Sequence, residues 1–428
     1  MLVRKKLALA CGVATLSASL PALAQTPDCT SVPEYENAVV GDGGSAATPT
    51  LKAVSLALAA ANWGDQQKFT VFYAQPSACI GYRAFKANDS GAKQNFFYWT
   101  AAGEKTCTGT NLPLDFSHMG SEVELCAGET LPNDVGDYPA PVQTVNVITD
   151  KDSNEVSISA EALHFIYGYG QNGQVTPWTA GAGVVQRTDT SFVHNYIAAA
   201  IKVPQNAFWW SATPGWDSSQ GTDPKAAFAT NTVTSNGASV TFITNYAGGA
   251  KPNETLGYIS GSQADANRAS VKTLAFKGFE QDCAVYPDKT ATALDKLNVR
   301  LGRYALWSPG HFYARTKNGK IVNENVAKLI AWFGATQKAP GNVNVTRSII
   351  EAGDIPECAM QANRDTALGA VYSYAPRKPC GCFFESIATG AAPTACTACA
   401  KDSECPGEGD KCNYGYCEAY RAAGESEG

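Results

Sequence analysis

Hydroxyl side chains recur where an apolar strand of this sequence passes into a helix, and one of these junctions also carries an arginine. Ser45 follows "AVVGDGG", Ser77 follows "KFTVFYAQP", and "GAGVVQR" ends on Arg187 shortly before Thr190 and Ser191. The first turn of a helix carries unpaired backbone N–H groups and the positive end of the helix dipole, and an arginine fork can clamp two oxygens. Several such junctions in one cleft would bind an anion without a basic surface, although each junction alone is typical of ordinary helix capping.

The elements that position these residues are strands alternating with helices, which is the pattern of an α/β sheet. Thr48 and Pro49 are suited to begin the helix "TLKAVSLALAAAN", and Ser77 is suited to begin "ACIGYRAFKAN". Ser159 can cap "AEALHFIY", and "ENVAKLIAWF" places its apolar residues on one face before Gly334. The sequence therefore predicts an α/β fold.

The N-terminal residues predict export. Arg4, Lys5 and Lys6 precede an apolar stretch that ends in Ala-Leu-Ala at residue 24, as in a secretory signal peptide. A retained N-terminal anchor is the alternative interpretation. No later stretch approaches the ~18 apolar residues of a membrane-spanning helix. We expect residues 1–24 to be a signal peptide and the exported protein to be periplasmic or on the cell surface.

Composition narrows the class of protein. Of 428 residues, 44% are hydrophobic and 17% are charged, against roughly 25% charged in an average soluble domain. This composition excludes a disordered chain, and the length predicts two or three domains. The net charge is −6, so the basic excess of a nucleic-acid-binding protein is missing. Any anionic ligand must be held locally.

Cysteines indicate a separate C-terminal module. There are 14, of which Cys11 lies in the expected signal peptide, so an odd number remains and at least one must be unpaired. From about residue 376 they crowd with the spacing C-x2-C-x5-C-x6-C-x4-C, and none of the four histidines lies there. Disulfides are favoured over zinc in an exported chain. In the rest of the chain, order suggests the pairs Cys107–Cys126 and Cys283–Cys358.

Four segments together resemble a known family. They are Gly41–Ser45, Tyr73–Ser77, Asp115–Glu122 and "VVQRTDTSFVHNYI". In this order they resemble the ligand loops of the periplasmic phosphate-binding proteins of ABC importers, which have the type II solute-binding fold. The resemblance covers roughly residues 35 to 375 and does not include the cysteine-rich tail.

The resemblance implies a two-lobe α/β fold with a hinge and a ligand between the lobes. The implied domains are lobe 1 at 35–142 and 306–375, lobe 2 at 143–305, and the cysteine-rich module at 376–428. Carried over position by position, the implied ligand-binding residues are Ser45, Ala46, Ser77, Ser121, Glu122, Arg187, Asp189, Thr190 and Ser191. Glu122 would accept the proton of a protonated phosphate, and Asp189 would either orient Arg187 or repel the anion.

The same resemblance implies a monomer that captures phosphate or a related oxyanion and serves an ABC permease, with no cofactor or metal. No G-x-S-x-G nucleophile elbow between a strand and a helix and no H-E-x-x-H motif occurs, so we expect no catalysis. His118 lies in the third implied ligand loop and could donate to an anion when protonated. Three alternatives stay open: a repurposed surface or sensory protein, a structural envelope protein with a vestigial cleft, and a secreted hydrolase.

Overall fold

The computed structural model describes residues 26–208, 231–248 and 251–421, so the signal peptide expected at 1–24 lies outside the described residues. Within these ranges, no helix combines the length and apolar character needed to cross a bilayer. The strands are β1 Ala38–Gly43, β2 Thr70–Ala74, β3 Gln94–Thr100, β4 Gly103–Gly109, β5 Phe116–Met119, β6 Val135–Asp150, β7 Ser157–Ser159, β8 Gln186–Arg187, β9 Thr232–Val233, β10 Gly257–Ser260, β11 Val271–Thr273, β12 Ala275–Lys277, β13 Trp307–Lys317, β14 Lys320–Ile321, β15 Ala362–Asn363, β16 Tyr372–Ser373, β17 Asp410–Asn413 and β18 Tyr416–Ala419. The α-helices are α1 Thr48–Ala60, α2 Ala78–Ala87, α3 Ala160–Tyr169, α4 Phe192–Ala200, α5 Asn236–Ala247, α6 Gly261–Ala266, α7 Leu297–Arg300, α8 Glu324–Phe333, α9 Val345–Glu351 and α10 Gly381–Thr389.

One large sheet organises the chain, with the strand order β10-β6-β13-β5-β1-β2-β3-β4. β1 pairs in parallel with both β2 and β5, so the loops that leave these three strands emerge at the same edge. The next strands outward, β3 and β13, run antiparallel to their neighbours. The parallel centre therefore collects the first two sequence-predicted junctions at one end of the sheet.

Two long strands join the lobes. β6 pairs antiparallel with β13 along its first part, and its last residues pair with β10 and β11. We use lobe 1 for the elements around β1–β5, which include α1, α2, α8 and α9, and lobe 2 for α3–α6 with β7–β12. The two-lobe α/β fold expected from the sequence is confirmed.

Separate hydrophobic clusters lie on the two faces of the lobe 1 sheet. One packs α1, α8 and α9 against β1 through Leu51, Val54 and Phe333. On the opposite face, α2 buries Cys79, Tyr82 and Phe85 in a cluster that continues into lobe 2. The burial of these apolar faces, rather than intrinsic propensity, holds the helices in place.

The predicted helix boundaries are largely confirmed. Ser159 caps α3 by accepting a hydrogen bond from the Ala162 amide, and Asn323 caps α8, which ends at Gly334 as expected. The expected cap at Thr48 is wrong, because α1 already includes Thr48 and its N-cap is Ala47. The Thr48 hydroxyl instead donates to the Gln75 side chain at 3.0 Å, a contact between the first residue of α1 and the loop after β2 that the sequence could not reveal.

Disulfides connect the chain differently from the suggested pairs. Cys107 bonds Cys29, and Cys126 bonds Cys79. The reason is that the N-terminal segment forms a bridge from Asp28 to Thr108 on β4, which brings Cys29 beside Cys107. Cys283 is exposed and unpaired, so the expectation of an unpaired cysteine is confirmed while the Cys283–Cys358 pair is wrong.

The cysteine-rich module is closed by disulfides, as predicted. Cys358–Cys380 links it to lobe 1, and the other three bonds lie within it: Cys382–Cys396, Cys399–Cys412 and Cys405–Cys417. The sulfurs of Cys399, Cys405 and Cys417 lie within 4.8 Å of one another, a spacing that could suit a metal. Each of them is already in a disulfide, which favours the disulfide interpretation over zinc.

We expect the Cys79–Cys126 disulfide to stabilise lobe 1, because it closes a loop of 47 residues in the unfolded chain. Replacing both cysteines with alanine should lower the free energy of unfolding by about 2–4 kcal/mol. Denaturant unfolding without reductant measures this change. Cys283→Ser is the control and should change stability by less than about 0.5 kcal/mol; an equal loss in both variants would contradict the assignment.

Candidate functional site

Four helix N-termini meet at one small pocket between the lobes. They belong to α1 and α2 of lobe 1 and to α4 and α5 of lobe 2. The lining residues are Gly44, Ser45, Ala46, Gln75, Ser77, Ala78, Arg187, Ser191, Phe192, Val193, Thr234 and Asn236. Backbone N–H groups in the first turn of a helix have no intrahelical acceptor, so all four helices direct donors and positive dipole ends toward this pocket.

The strand register explains why the lobe 1 loops are adjacent. Asp42 of β1 lies beside Ala74 of β2, so the loops after these strands leave the sheet together. α2 also approaches β1 closely, because a Cβ at Gly81 would lie 2.8 Å from the Gly43 amide nitrogen. Glycine at position 81 therefore lets the N-terminus of α2 reach the loop of α1.

In lobe 2 a short pair of parallel strands, β8 and β9, likewise brings two loops together. Arg187 of β8 lies beside Val233 of β9, so the two following loops lead side by side into α4 and α5. Ser235 caps α5 by accepting from the Ala238 amide. The segment "TVTSNGASV" is thus a fourth strand-to-helix junction, which the sequence analysis missed although its capping serine follows the same pattern.

Arg187 is the charged residue of the pocket, and only 4% of its surface is exposed. Its Nη1 donates to Asn236 Oδ1 at 2.5 Å and its Nη2 donates to the Thr234 carbonyl at 2.9 Å. Its buried Nε has no hydrogen-bond partner. Burial lowers the pKa of Arg187 to about 10, so the guanidinium stays charged at neutral pH. Among the described residues, no carboxylate lies within ion-pair distance of it.

Serine hydroxyls complete the donor set. Ser45 and Ser191 line the pocket, and within the described part of the chain neither side chain makes a hydrogen bond. Ser77 has φ 140°, a backbone conformation that only glycine adopts easily. Such strain concentrates at functional sites. At Ser77 it accompanies a hydroxyl that donates across the lobe boundary to the Thr190 carbonyl at 2.7 Å.

The pocket is closed in this structure. The Thr190 carbonyl also accepts from the Cys79 amide at 3.0 Å, so two hydrogen bonds tie α2 to the loop of lobe 2. The remaining cavity measures about 10 Å³, which is about the space of one water molecule. A tetrahedral oxyanion can enter only if the lobes separate.

The nine sequence-predicted residues are therefore only partly brought together. Five of them line the pocket, namely Ser45, Ala46, Ser77, Arg187 and Ser191. Thr190 contributes its carbonyl to the lobe contact, and its side chain donates weakly to Thr188 at 3.4 Å. Asp189 is exposed and outside the lining, so it neither orients Arg187 nor faces an anion there.

Glu122 and Ser121 lie elsewhere. Both carboxylate oxygens of Glu122 accept from the Ala367 amide at 3.0 Å, and the Ser121 hydroxyl points to the Glu122 carbonyl. The reason is steric. The Phe192 ring packs so close to Gly120 that a Cβ there would lie 2.5 Å from it, so the third loop is separated from the pocket.

Two further ionisable groups are buried at the ends of lobe 1 strands. Burial raises the pKa of Asp42 well above its usual value, and neither carboxyl oxygen has a hydrogen-bond partner. Burial lowers the pKa of His118 to about 3, so the protonated donor suggested by the sequence is wrong. Neither residue is part of the pocket lining.

A buried carboxyl connects the pocket loop to the lobe boundary. Asp354, which follows α9, accepts from the Thr50 hydroxyl of α1 at 2.5 Å and from Gln143 Nε2 of β6 at 3.4 Å. Gln143 also donates to the Ala46 carbonyl in the pocket loop. Burial, together with the negative charge of Asp265, raises the pKa of Asp354 to about 7. This carboxyl therefore titrates close to neutral pH.

Comparisons with solved structures find several proteins that are named for phosphate transport or phosphate binding. An ABC-type phosphate transport receptor from Vibrio cholerae is 14% identical, with 74% of this chain and 99% of that chain covered and a TM-score of 0.44. A substrate-binding protein ascribed to a phosphate ABC transporter of Clostridium perfringens, with bound phosphate, is 14% identical. The match covers 75% of this chain and 99% of that chain, with a TM-score of 0.46. A phosphate-binding protein from Stenotrophomonas maltophilia is 16% identical, with 83% of this chain and 99% of that chain covered and a TM-score of 0.41.

No protein-family model and no curated protein matches the chain. At these identities and TM-scores the likeness carries no functional argument. The geometry of the pocket is what supports a functional proposal.

The Asp354 carboxyl predicts a pH-dependent stability. Between about pH 4 and pH 7 the folded chain keeps the proton on Asp354 while the unfolded chain loses it, so stability falls as pH rises through this window and is level above it. Relative to Asp354→Asn, the original chain should lose up to about 4 kcal/mol of unfolding free energy across the window. Denaturant unfolding at several pH values measures the difference. Asp282→Asn, at an exposed position, is the control, and a pH-independent difference for Asp354→Asn would contradict the prediction.

Proposed function

We propose that this chain is an exported solute-binding protein that closes around a small oxyanion, with phosphate the favoured ligand, and does not convert it chemically. The observation that carries this proposal is the buried charge of Arg187. It has a free Nε and no carboxylate partner among the described residues, and it lies where four helix N-termini converge. Such a set of donors needs an anion to balance it.

The energetics favour an anion over water in this pocket. A buried cation without a counter-charge costs several kcal/mol. The Arg187 fork is held by Asn236 and the Thr234 carbonyl, so its orientation is fixed before a ligand arrives. An oxyanion would accept from the free Nε, from the Ser45 and Ser191 hydroxyls and from first-turn amides, and charge-assisted hydrogen bonds of this kind are the strong ones.

Binding would require a hinge motion. The two hydrogen bonds on the Thr190 carbonyl would break to admit the ligand, and β6 and β13 are the strands that cross between the lobes. We place the lobe boundaries where the sequence suggested them, at 35–142 and 306–375 for lobe 1 and 143–305 for lobe 2. Delivery to an ABC permease, action as a monomer and release by a signal peptide belong to the same proposal.

A second candidate is a surface or envelope protein in which the cleft has become vestigial. It is favoured by the cavity of about 10 Å³ and by the Phe192 ring against Gly120, which keeps Glu122 out of the pocket. In this alternative the lobes stay closed and Arg187 has only a structural role.

Anion titration separates the two candidates. The mature chain is unfolded in guanidinium without reductant, so that its disulfides persist, stripped of ligand, refolded and titrated calorimetrically with phosphate and with sulfate. Phosphate should bind. Because no carboxylate is among the described lining residues, sulfate should bind within about tenfold of phosphate. Arg187→Gln should weaken binding by about 2–5 kcal/mol, since the anion loses its buried partner.

The control variant is Arg347→Gln, which removes an exposed arginine of α9 that pairs with Glu351. It should bind phosphate like the original chain. Thermal unfolding of both variants checks that they fold. If the folded chain gives no heat of binding with either phosphate or sulfate, the oxyanion proposal is excluded and the vestigial cleft is supported.

A further inference from the structure

A second cavity of about 560 Å³ lies between lobe 1 and the cysteine-rich module. One side is formed by the end of α8 and residues 335–346, and the other by Tyr414 and Tyr420 of the module. Small-ligand sites have volumes of about 300–1,000 Å³. This groove is separate from the Arg187 pocket and shares no lining residue with it.

Two tyrosines offer ring surface to the groove, and Tyr414 is rigidly held. Trp332 is also in the lining, but it is stacked on Phe69 with ring centroids 5.6 Å apart and only 3% of its surface is exposed, so it belongs to the core beneath the groove. Tyr414 stacks on Phe383 at 4.6 Å, and its hydroxyl is hydrogen-bonded to Thr346 at 2.9 Å. Tyr420 is half-buried. Fixed aromatic rings offer apolar faces with little loss of conformational entropy on binding.

Left-handed turns direct the backbone on both sides of the groove. Ala335 and Tyr414 have φ of 52° and 51°. Ala335 follows Gly334 at the end of α8, and Tyr414 lies in the two-residue turn of the β17–β18 hairpin. These turns set the course of the chain on either side of the cavity.

The polar part of the lining is amide-rich and cationic. Gln337, Asn342 and Asn413 supply amides, and Lys338 and Lys378 are exposed and without an ion-pair partner in the described ranges. No acidic residue is part of the lining, although the whole chain has a net charge of −6. Two carboxylates of the module, Asp402 and Glu418, lie outside the lining; Asp402 forms an ion pair with Lys411 at 3.5 Å, and Glu418 accepts from the Cys382 amide.

We propose that this groove binds an acidic oligosaccharide. The C–H faces of sugar rings would pack on the rings of Tyr414 and Tyr420, and sugar hydroxyls would exchange hydrogen bonds with the amides. The two lysines would attract carboxylate or sulfate groups of the saccharide. Such a site would anchor the exported chain to a polysaccharide while the lobes carry out anion binding independently.

Calorimetric titration of the full mature chain tests the proposal. The probes are tetragalacturonate, which carries four carboxylates, and cellotetraose, a neutral tetrasaccharide. Tetragalacturonate should bind and cellotetraose should bind at least about tenfold more weakly. The double variant Lys338→Gln with Lys378→Gln should lose about tenfold in affinity for tetragalacturonate. Tyr420→Ala should lower the affinity for both saccharides.

Lys105→Gln with Lys317→Gln is the matched control, because it removes the same charge at two exposed positions outside the groove. It should leave the affinity unchanged. Equal losses in the two double variants would show non-specific attraction and overturn the proposal. If tetragalacturonate does not bind, the proposal is overturned. It is also overturned if a tetraglutamate peptide binds as tightly as tetragalacturonate or more tightly, because the groove would then be a peptide site. The affinity of the same variants for phosphate should be unchanged. A failure of the saccharide proposal can therefore be distinguished from a failure of the oxyanion proposal.

Discussion

The buried positive charge of Arg187 is the constraint on which the arrangement of both lobes depends. Desolvation makes an unpaired guanidinium costly, so the surrounding residues must hold it without cancelling its charge. They do so with neutral acceptors, the Asn236 amide and the Thr234 carbonyl. Burial disfavours the charged forms of two lobe 1 groups, raising the pKa of Asp42 and lowering that of His118. The pocket therefore keeps a positive potential inside a chain that is acidic overall.

The lobes are coupled to this pocket through hydrogen bonds rather than through ion pairs. Thr190 accepts from two groups of lobe 1, and Gln143 links the Ala46 carbonyl to Asp354 beside the strand that crosses between the lobes. Hydrogen bonds between neutral groups contribute about 0.5–1.5 kcal/mol each. A few contacts of this size hold the two lobes together at the pocket.

The cysteine-rich module is fixed to the rest of the chain by a disulfide and by packing against residues of both lobes. Cys358–Cys380 joins it covalently to the loop after α9, and Phe383 and Phe384 of α10 enter the main hydrophobic cluster. Arg300 donates to Glu385, with its guanidinium against the Phe384 ring. The module thus creates a rigid wall, and the groove beside it exists only because the two parts are fixed to each other.

The sequence by itself determined the local features of this protein. The cap at Ser159, the helix before Gly334, the odd cysteine count and the hydroxyl-bearing junctions at Ser45 and Ser77 could all be predicted, because each depends on residues within a few positions along the chain. Tertiary structure decided what depends on strand order and on side chains from distant segments. Cys29 meets Cys107 through a bridge to an edge strand, Glu122 is diverted to the Ala367 amide by the Phe192 ring, and Asn236 reaches Arg187 through the pairing of β8 with β9. A pattern of residue types specifies which group can donate or accept, but the free energy of packing the whole chain decides which groups meet.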